Sequence, residues 1–139
     1  MTGERPLPKP NEQTAAFWEA TARGQLTVAE CSGCGARTMP PDVVCPVCRQ
    51  ADVTFAFVPV DGGGTVRSWT VVRQSFLPGF EVPYVLADVE LDGAPEVRFI
   101  AQLLDGPDVP LALGDRVETV FEALADGVAV PAFRLAGRS

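Results

Sequence analysis

Histidine is absent from this chain. With it go the usual general base, the usual proton shuttle and the usual partner of a nucleophilic serine or cysteine, so catalysis by this chain alone is not expected. Lysine is nearly absent as well. Lys9 is the only one beside ten arginines, against 18 acidic residues and a net charge of -7. Affinity for nucleic acids rests on basic side chains that displace counterions from phosphates, so a polyanion partner is disfavoured. No uninterrupted apolar run approaches the roughly eighteen residues of a membrane span. The opening ten residues hold Pro6, Pro8 and Pro10 with no apolar stretch and no cleavage pattern, so neither a secretory signal nor a membrane anchor is expected. The chain reads as a soluble, cytoplasmic protein.

At 139 residues there is material for one principal hydrophobic core and a small appendage. Residues 1–24 read as a polyproline-like extension followed by a short helix over 15–23, with Asn11 or Thr14 to cap it and Gly24 to end it. Phe17, Ala20 and Thr21 share one face of that helix. Trp18 points elsewhere, either over the domain below or towards a partner. Residues 25–50 form a metal module that opens with a strand carrying Leu26 and Val28. Residues 51–139 change to short strand candidates at 54–60, 65–72, 84–91, 96–104, 116–123 and 128–135, separated by Asp-Gly and Pro-Gly turns. Val85, Ala87, Val89 and Leu91 alternate with Tyr84, Leu86, Asp88 and Glu90, and residues 96–103 alternate likewise, the pattern of a sheet with one face in a core. The expected fold is mainly β: an N-terminal helix, a four-cysteine ribbon and a five-stranded OB-fold barrel. A small sandwich has the same periodicity.

All four cysteines sit in two C-x2-C knuckles, Cys31-Ser32-Gly33-Cys34 and Cys45-Pro46-Val47-Cys48. Each knuckle turns two thiolates towards one point, and two knuckles complete a tetrahedral site for one structural zinc ion. Gly33 and Gly35 suit the first turn. A rubredoxin-like iron site uses the same ligands, disulfides require an oxidising compartment, and plain buried thiols are the remaining reading. With every cysteine committed there is no open coordination position to activate water.

Several stretches together resemble one family. They are Phe17-Trp18-Glu19-Ala20, Arg23-Gly24-Gln25-Leu26, the paired knuckles with Pro40-Pro41 between them, and the run Gly64-Thr65-Val66-Arg67-Ser68-Trp69-Thr70-Val71-Val72. Val82-Pro83-Tyr84, residues 111–117 and Pro131-Ala132-Phe133-Arg134 extend the match over nearly the whole chain. The pattern is similar to that of the DUF35 family, which joins a rubredoxin-like zinc ribbon to an OB-fold and is associated with acyl-CoA. The resemblance implies an accessory subunit of a thiolase-superfamily enzyme: an acetyl-transferring thiolase, a hydroxymethylglutaryl-CoA synthase or a lipid-transfer-protein-like aldolase of steroid side-chain degradation. The catalytic groups then belong to the partner, acyl-CoA lies at the shared boundary, and a 2+2 heterotetramer follows.

The residues placed at such a boundary are Trp18, Trp69, Arg73, Phe76 and Phe80. Phe76 and Phe80 lie in the longest turn-rich segment, residues 73–83, where apolar side chains either cover a core edge or meet a partner. Trp69 either fills the barrel or stacks on an adenine. Arg67, Arg73 and Arg98 lie near that loop and suit the phosphates of CoA, Arg73 foremost, although a solvated strand face is the ordinary fate of an arginine. Asp88 and Glu90 read as solvent-facing, and Gly62-Gly63-Gly64 lacks the lysine and helix of a phosphate loop. An OB-fold that binds single-stranded nucleic acid is the competing function, opposed by the acidic charge.

Overall fold

A computed structural model describes residues 5–41, 43–75 and 79–136. Helix α1, Ala15–Ala22, starts behind an Asn11 turn in which the Asn11 side-chain oxygen accepts from the amides of Gln13 and Thr14. Thr14 stands at the cap position without a side-chain cap. The helix stops at Gly24, whose φ of 76° is left-handed; the Gln25 amide donates to the Ala20 carbonyl and the Gly24 amide to that of Thr21, the paired bonds of a Schellman ending. As expected, Phe17, Ala20 and Thr21 form the buried face.

Strand β1, Thr27–Cys31, lies between β2, Arg37–Thr38, and β3, Phe55–Pro59, in an antiparallel sheet ordered β2-β1-β3. The sequence placed the 54–60 strand in the all-β half. Instead β3 pairs with β1 from Thr27↔Pro59 to Cys31↔Phe55, so the ribbon sheet draws its third strand from beyond the second knuckle.

The remaining strands are β4, Gly64–Val72; β5, Tyr84–Leu91; β6, Arg98–Leu103; β7, Arg116–Ala125; and β8, Val128–Leu135. They close in the order β4-β5-β6-β8-β7. Two junctions are thin. Strand β4 meets β7 only at Gly64 and Thr65, and β6 meets β8 at the single pair Leu103↔Phe133. Phe17 of α1 packs into the common core beside that second seam, its ring stacked 6.2 Å from that of Phe99. Val85, Ala87, Val89 and Leu91 are all buried, and Leu26 and Val28 of the ribbon join the same core, so ribbon, helix and barrel share one interior. Gly64 lets β4 and β5 approach: a Cβ there would lie 2.5 Å from a Val89 methyl and 2.7 Å from the Glu90 carbonyl. Among the described residues no helix is long and apolar enough to cross a membrane.

Candidate metal centre and docking faces

The first knuckle follows β1 directly, so Cys31 ends a strand in which Thr27, Val28 and Ala29 are buried and Glu30 is half-buried, and Cys34 lies on the turn towards β2. The second knuckle turns back between the Cys45 amide and the Gln50 carbonyl. The two are built alike. In each, the amide four residues after the leading cysteine donates to that cysteine's carbonyl, Gly35 to Cys31 and Arg49 to Cys45, and that fifth residue is left-handed. Gly35 adopts φ 76° freely, whereas Arg49 is held at φ 61°.

The four sulfurs lie within 4.8 Å of one another. Cys31 and Cys48 sulfurs are 3.8 Å apart and Cys34 and Cys45 sulfurs 3.7 Å. Tetrahedral thiolates at the Zn–S distance of about 2.3 Å stand about 3.8 Å apart, while a disulfide requires about 2.05 Å. The sulfur set therefore fits a zinc ion and no disulfide. Amides of Gly33, Val47 and Cys48 point at the Cys31 and Cys45 sulfurs, the bonding that stabilises thiolates. The Cys48 amide, opposed by desolvation and joined by the Val47 amide, brings the Cys45 thiol down to about 6. Cys48 goes the other way: the Gln50 backbone favours its thiolate, but desolvation and the neighbouring sulfurs outweigh it and push the group up to about 12. Four thiolates this close need a cation to coexist. Bound zinc supplies a crosslink between the two knuckles and, with four sulfur ligands, no site for a reacting molecule.

The other candidate residues do not form one site. Trp18 and Phe80 line a groove of about 550 Å³ on the outer face of the barrel, together with Tyr84, Leu86 and Ile100. Trp69 belongs to the opposite face, paired with Ala87 on the inward register of β4 and β5. It neither joins the core nor stacks on another described ring; it is 38 % exposed, because β4 has lost β7 as a neighbour by that point. The expectation that Trp69 fills the barrel is thus corrected. Arg73 follows β4, exposed and free of ion pairs among the described residues. Phe76 lies outside the described residues.

Arg67 and Arg98 are engaged elsewhere. A β-bulge between Val66 and Ser68 turns Arg67 and Ser68 to the outer face, where Arg67 reaches Glu90 at 3.1 Å and Ser68 reaches Asp88 at 3.0 Å. Arg98 grips Asp88 with two bonds of 2.9 and 2.6 Å. Its guanidinium, helped by the Ser68 hydroxyl against partial desolvation, holds the Asp88 carboxyl below the usual range. Asp92 is likewise lowered by Arg116. Asp88 and Glu90 are ion-pair partners, and no acid–base pair arises from them. The outer groove, whose walls come from distant parts of the chain, has no signature in the sequence beyond the exposed positions of β5 and β6.

Two family models match in succession: the ChsH2 rubredoxin-like zinc ribbon domain over residues 18–54 and the ChsH2 C-terminal OB-fold domain over residues 57–122. A Thermomonospora curvata protein named "Probable enoyl-CoA hydratase alpha subunit" is 37 % identical over 87 residues, 63 % of this chain and 27 % of that protein. The Mycobacterium tuberculosis 3-oxo-4,17-pregnadiene-20-carboxyl-CoA hydratase alpha subunit is 30 % identical over 114 residues, 82 % of this chain and 35 % of that protein. The chain thus spans about a quarter to a third of the length of these curated relatives. Among solved structures, a chain of the Ltp2-ChsH2(DUF35) aldolase superposes with a TM-score of 0.79 at 29 % identity, covering 93 % of this chain and 98 % of that one. A DUF35-family protein of unknown function from Sulfolobus solfataricus shares the fold, with a TM-score of 0.58 at 13 % identity over 90 % of this chain and 86 % of that one.

Proposed function

Because this chain belongs to the DUF35 family in its ChsH2 form, a rubredoxin-like zinc ribbon followed by an OB-fold, we propose that it is a non-catalytic accessory subunit of a thiolase-superfamily enzyme. In this reading it docks on that enzyme, probes no chemistry of its own, and helps to form the acyl-CoA site. The observation that carries the reading is the likeness to a chain of the Ltp2-ChsH2(DUF35) aldolase over 98 % of that chain's length. The chemistry of the described residues agrees with it. There is no histidine, the thiols are committed to metal, and Asp88, Glu90 and Asp92 are held by arginines. A base for the reaction comes from the partner.

The specific reaction we assign is retro-aldol cleavage of a steroid side-chain CoA thioester, in a 2+2 assembly. Arg73, exposed and outside any ion pair among the described residues, offers a cation for a CoA phosphate and Trp69 an exposed ring for its adenine. Co-expression with a thiolase-like enzyme from the same genome, followed by light scattering of the purified material, tests the assembly. Isothermal titration with acyl-CoA then tests the site: Arg73→Glu weakens binding about tenfold, the worth of one charge-assisted hydrogen bond, and leaves the complex intact. Failure of the two proteins to associate overturns the accessory role. Unchanged acyl-CoA affinity removes Arg73 from the site.

Two relatives are named as hydratase alpha subunits, which favours a second reading in which the chain serves an enoyl-CoA hydratase assembly. Association with a hydratase subunit in place of the thiolase-like enzyme would decide for it. Binding of single-stranded nucleic acid is not favoured: the net charge is -7, and Arg5, Arg37, Arg67, Arg98, Arg116 and Arg134 are all in ion pairs.

A further inference from the structure

Every residue from Arg5 to Pro10 is a proline or precedes one. Arg5, Leu7 and Lys9, each ahead of a proline, are pushed from helical towards extended or polyproline II backbone, while Pro6, Pro8 and Pro10 have φ fixed at about -65° and no N–H to donate. The segment is neither helix nor strand, and among the described residues none of its backbone groups bonds to the backbone of the barrel. It is held by side chains. A guanidinium nitrogen of Arg5 lies 3.2 Å from a Glu122 carboxylate oxygen on β7, in an ion pair largely shielded from water. The same guanidinium sits 4.7 Å over the ring of Phe80, which in turn stacks on Tyr84 at 5.5 Å. Pro6, Leu7 and Pro8 form one wall of the outer groove, facing Trp18, Tyr84 and Ile100. Pro8 and Pro10 continue into a second cavity of about 200 Å³ against Trp18 and Val128.

An extended proline segment laid along aromatic rings is a recurring mode of peptide recognition, because the ligand is already ordered before it binds. Here the arginine ahead of the prolines adds an ion pair and a cation–π contact. We propose that the outer face of the barrel is a binding site for proline-rich peptides headed by arginine, and that residues 5–10 are its resident ligand, held in cis and exchangeable. Exchange follows from the mode of attachment. No ladder of backbone hydrogen bonds has to break, and Ile100, 67 % exposed with the arm in place, leaves the groove open to an incoming segment. The tether acts as a competitor, since a short linker keeps its ligand at an effective concentration around millimolar. The proposal does not depend on the accessory-subunit reading and survives its failure.

The test uses the full chain and a fluorescent peptide, Arg-Pro-Leu-Pro-Lys-Pro, followed by anisotropy. In Arg5→Glu the arm repels Glu122 and the groove is freed, so the peptide binds saturably. The unaltered chain binds it about tenfold more weakly, because the arm competes at that effective concentration. Adding Glu122→Arg to Arg5→Glu abolishes binding of this peptide. The equally charged Arg-Ala-Leu-Ala-Lys-Ala, which lacks the preordered backbone, binds Arg5→Glu several-fold more weakly. Equal affinity for the unaltered chain and Arg5→Glu, equal affinity for both peptides, or no saturable binding to Arg5→Glu each overturns the proposal. If Arg5→Glu does not fold, as judged by zinc content and circular dichroism, the test passes to Glu122→Gln in a Trp69→Phe background, where Trp18 is the remaining tryptophan. Release of the arm then shifts Trp18 emission to longer wavelength; unchanged emission overturns the proposal.

Discussion

Replacing Cys45 by serine removes a buried thiolate that two backbone amides already favour, and its consequences reach beyond the metal. Three sulfurs remain, the tetrahedron loses a vertex, and the two knuckles are no longer crosslinked. Strand β1 ends at Cys31, and it carries Val28, with Leu26 just ahead, into the core shared with the barrel. Leu26 is 4 % exposed and Val28 0 %. Burial of such side chains contributes about 1.5–3 kcal/mol each, so a ribbon that comes apart withdraws about 3–6 kcal/mol from the barrel, before the zinc–ligand bonds are counted. At about 3–4 °C of melting temperature per kcal/mol for a domain of this size, the expected drop is about 10–20 °C. The assay is a pair of measurements on Cys45→Ser: zinc by metal analysis, and the melting temperature by circular dichroism. Loss of zinc with a melting temperature within about 3 °C of the unaltered chain would refute the reasoning, because ribbon and barrel would then be energetically separate.

Three further substitutions probe the same architecture. Arg49→Gly relieves a left-handed backbone that Gly35 adopts freely in the matching knuckle; since the strain of about 1–2 kcal/mol exceeds the added freedom of a glycine in the unfolded chain, stability to urea rises by about 0.5–1 kcal/mol. Gly64→Ala drives a Cβ against a Val89 methyl and the Glu90 carbonyl, and urea unfolding shows a loss of about 1–3 kcal/mol. Asp88→Asn tests the Arg98 ion pair through pH. The carboxyl is depressed in the folded state, so its contribution is present above its ordinary value of 3.8 and fades as pH falls through the lower folded value. Melting temperatures between pH 6 and pH 3 therefore decline less steeply in Asp88→Asn than in the unaltered chain; parallel curves would show that the pair is too solvated to matter.

The parts legible in the sequence are those set by neighbours a few residues apart. Two C-x2-C turns define their ligands by spacing, Gly24 ends its helix by its backbone freedom, and the alternation along residues 84–91 fixes which side chains enter the core. Pairing between distant strands has no such local mark. Phe55–Pro59 carries the same apolar pattern whether it joins the barrel or β1, and only the register Thr27↔Pro59 decides. Trp69 is exposed because β4 outruns its contact with β7 and a bulge resets its register, neither of which a strand pattern reveals. The same holds for charge: Arg67 and Arg98 look like free cations until Glu90 and Asp88 come round on the neighbouring strand. The outer groove is the extreme case, its walls drawn from the arm, α1 and strands β5, β6, β7 and β8.

Turnover tests the proposed role, in which this chain supports chemistry performed by another protein, most directly. Acyl-CoA cleavage, followed as release of free product from a steroid side-chain CoA thioester, is measured with this chain alone, with the thiolase-like enzyme alone, and with the two mixed in rising ratio. The account predicts no turnover by this chain, little by the enzyme alone, and a rate that climbs and saturates at equimolar addition. Turnover by this chain alone, or an enzyme whose rate is indifferent to its presence, would contradict it.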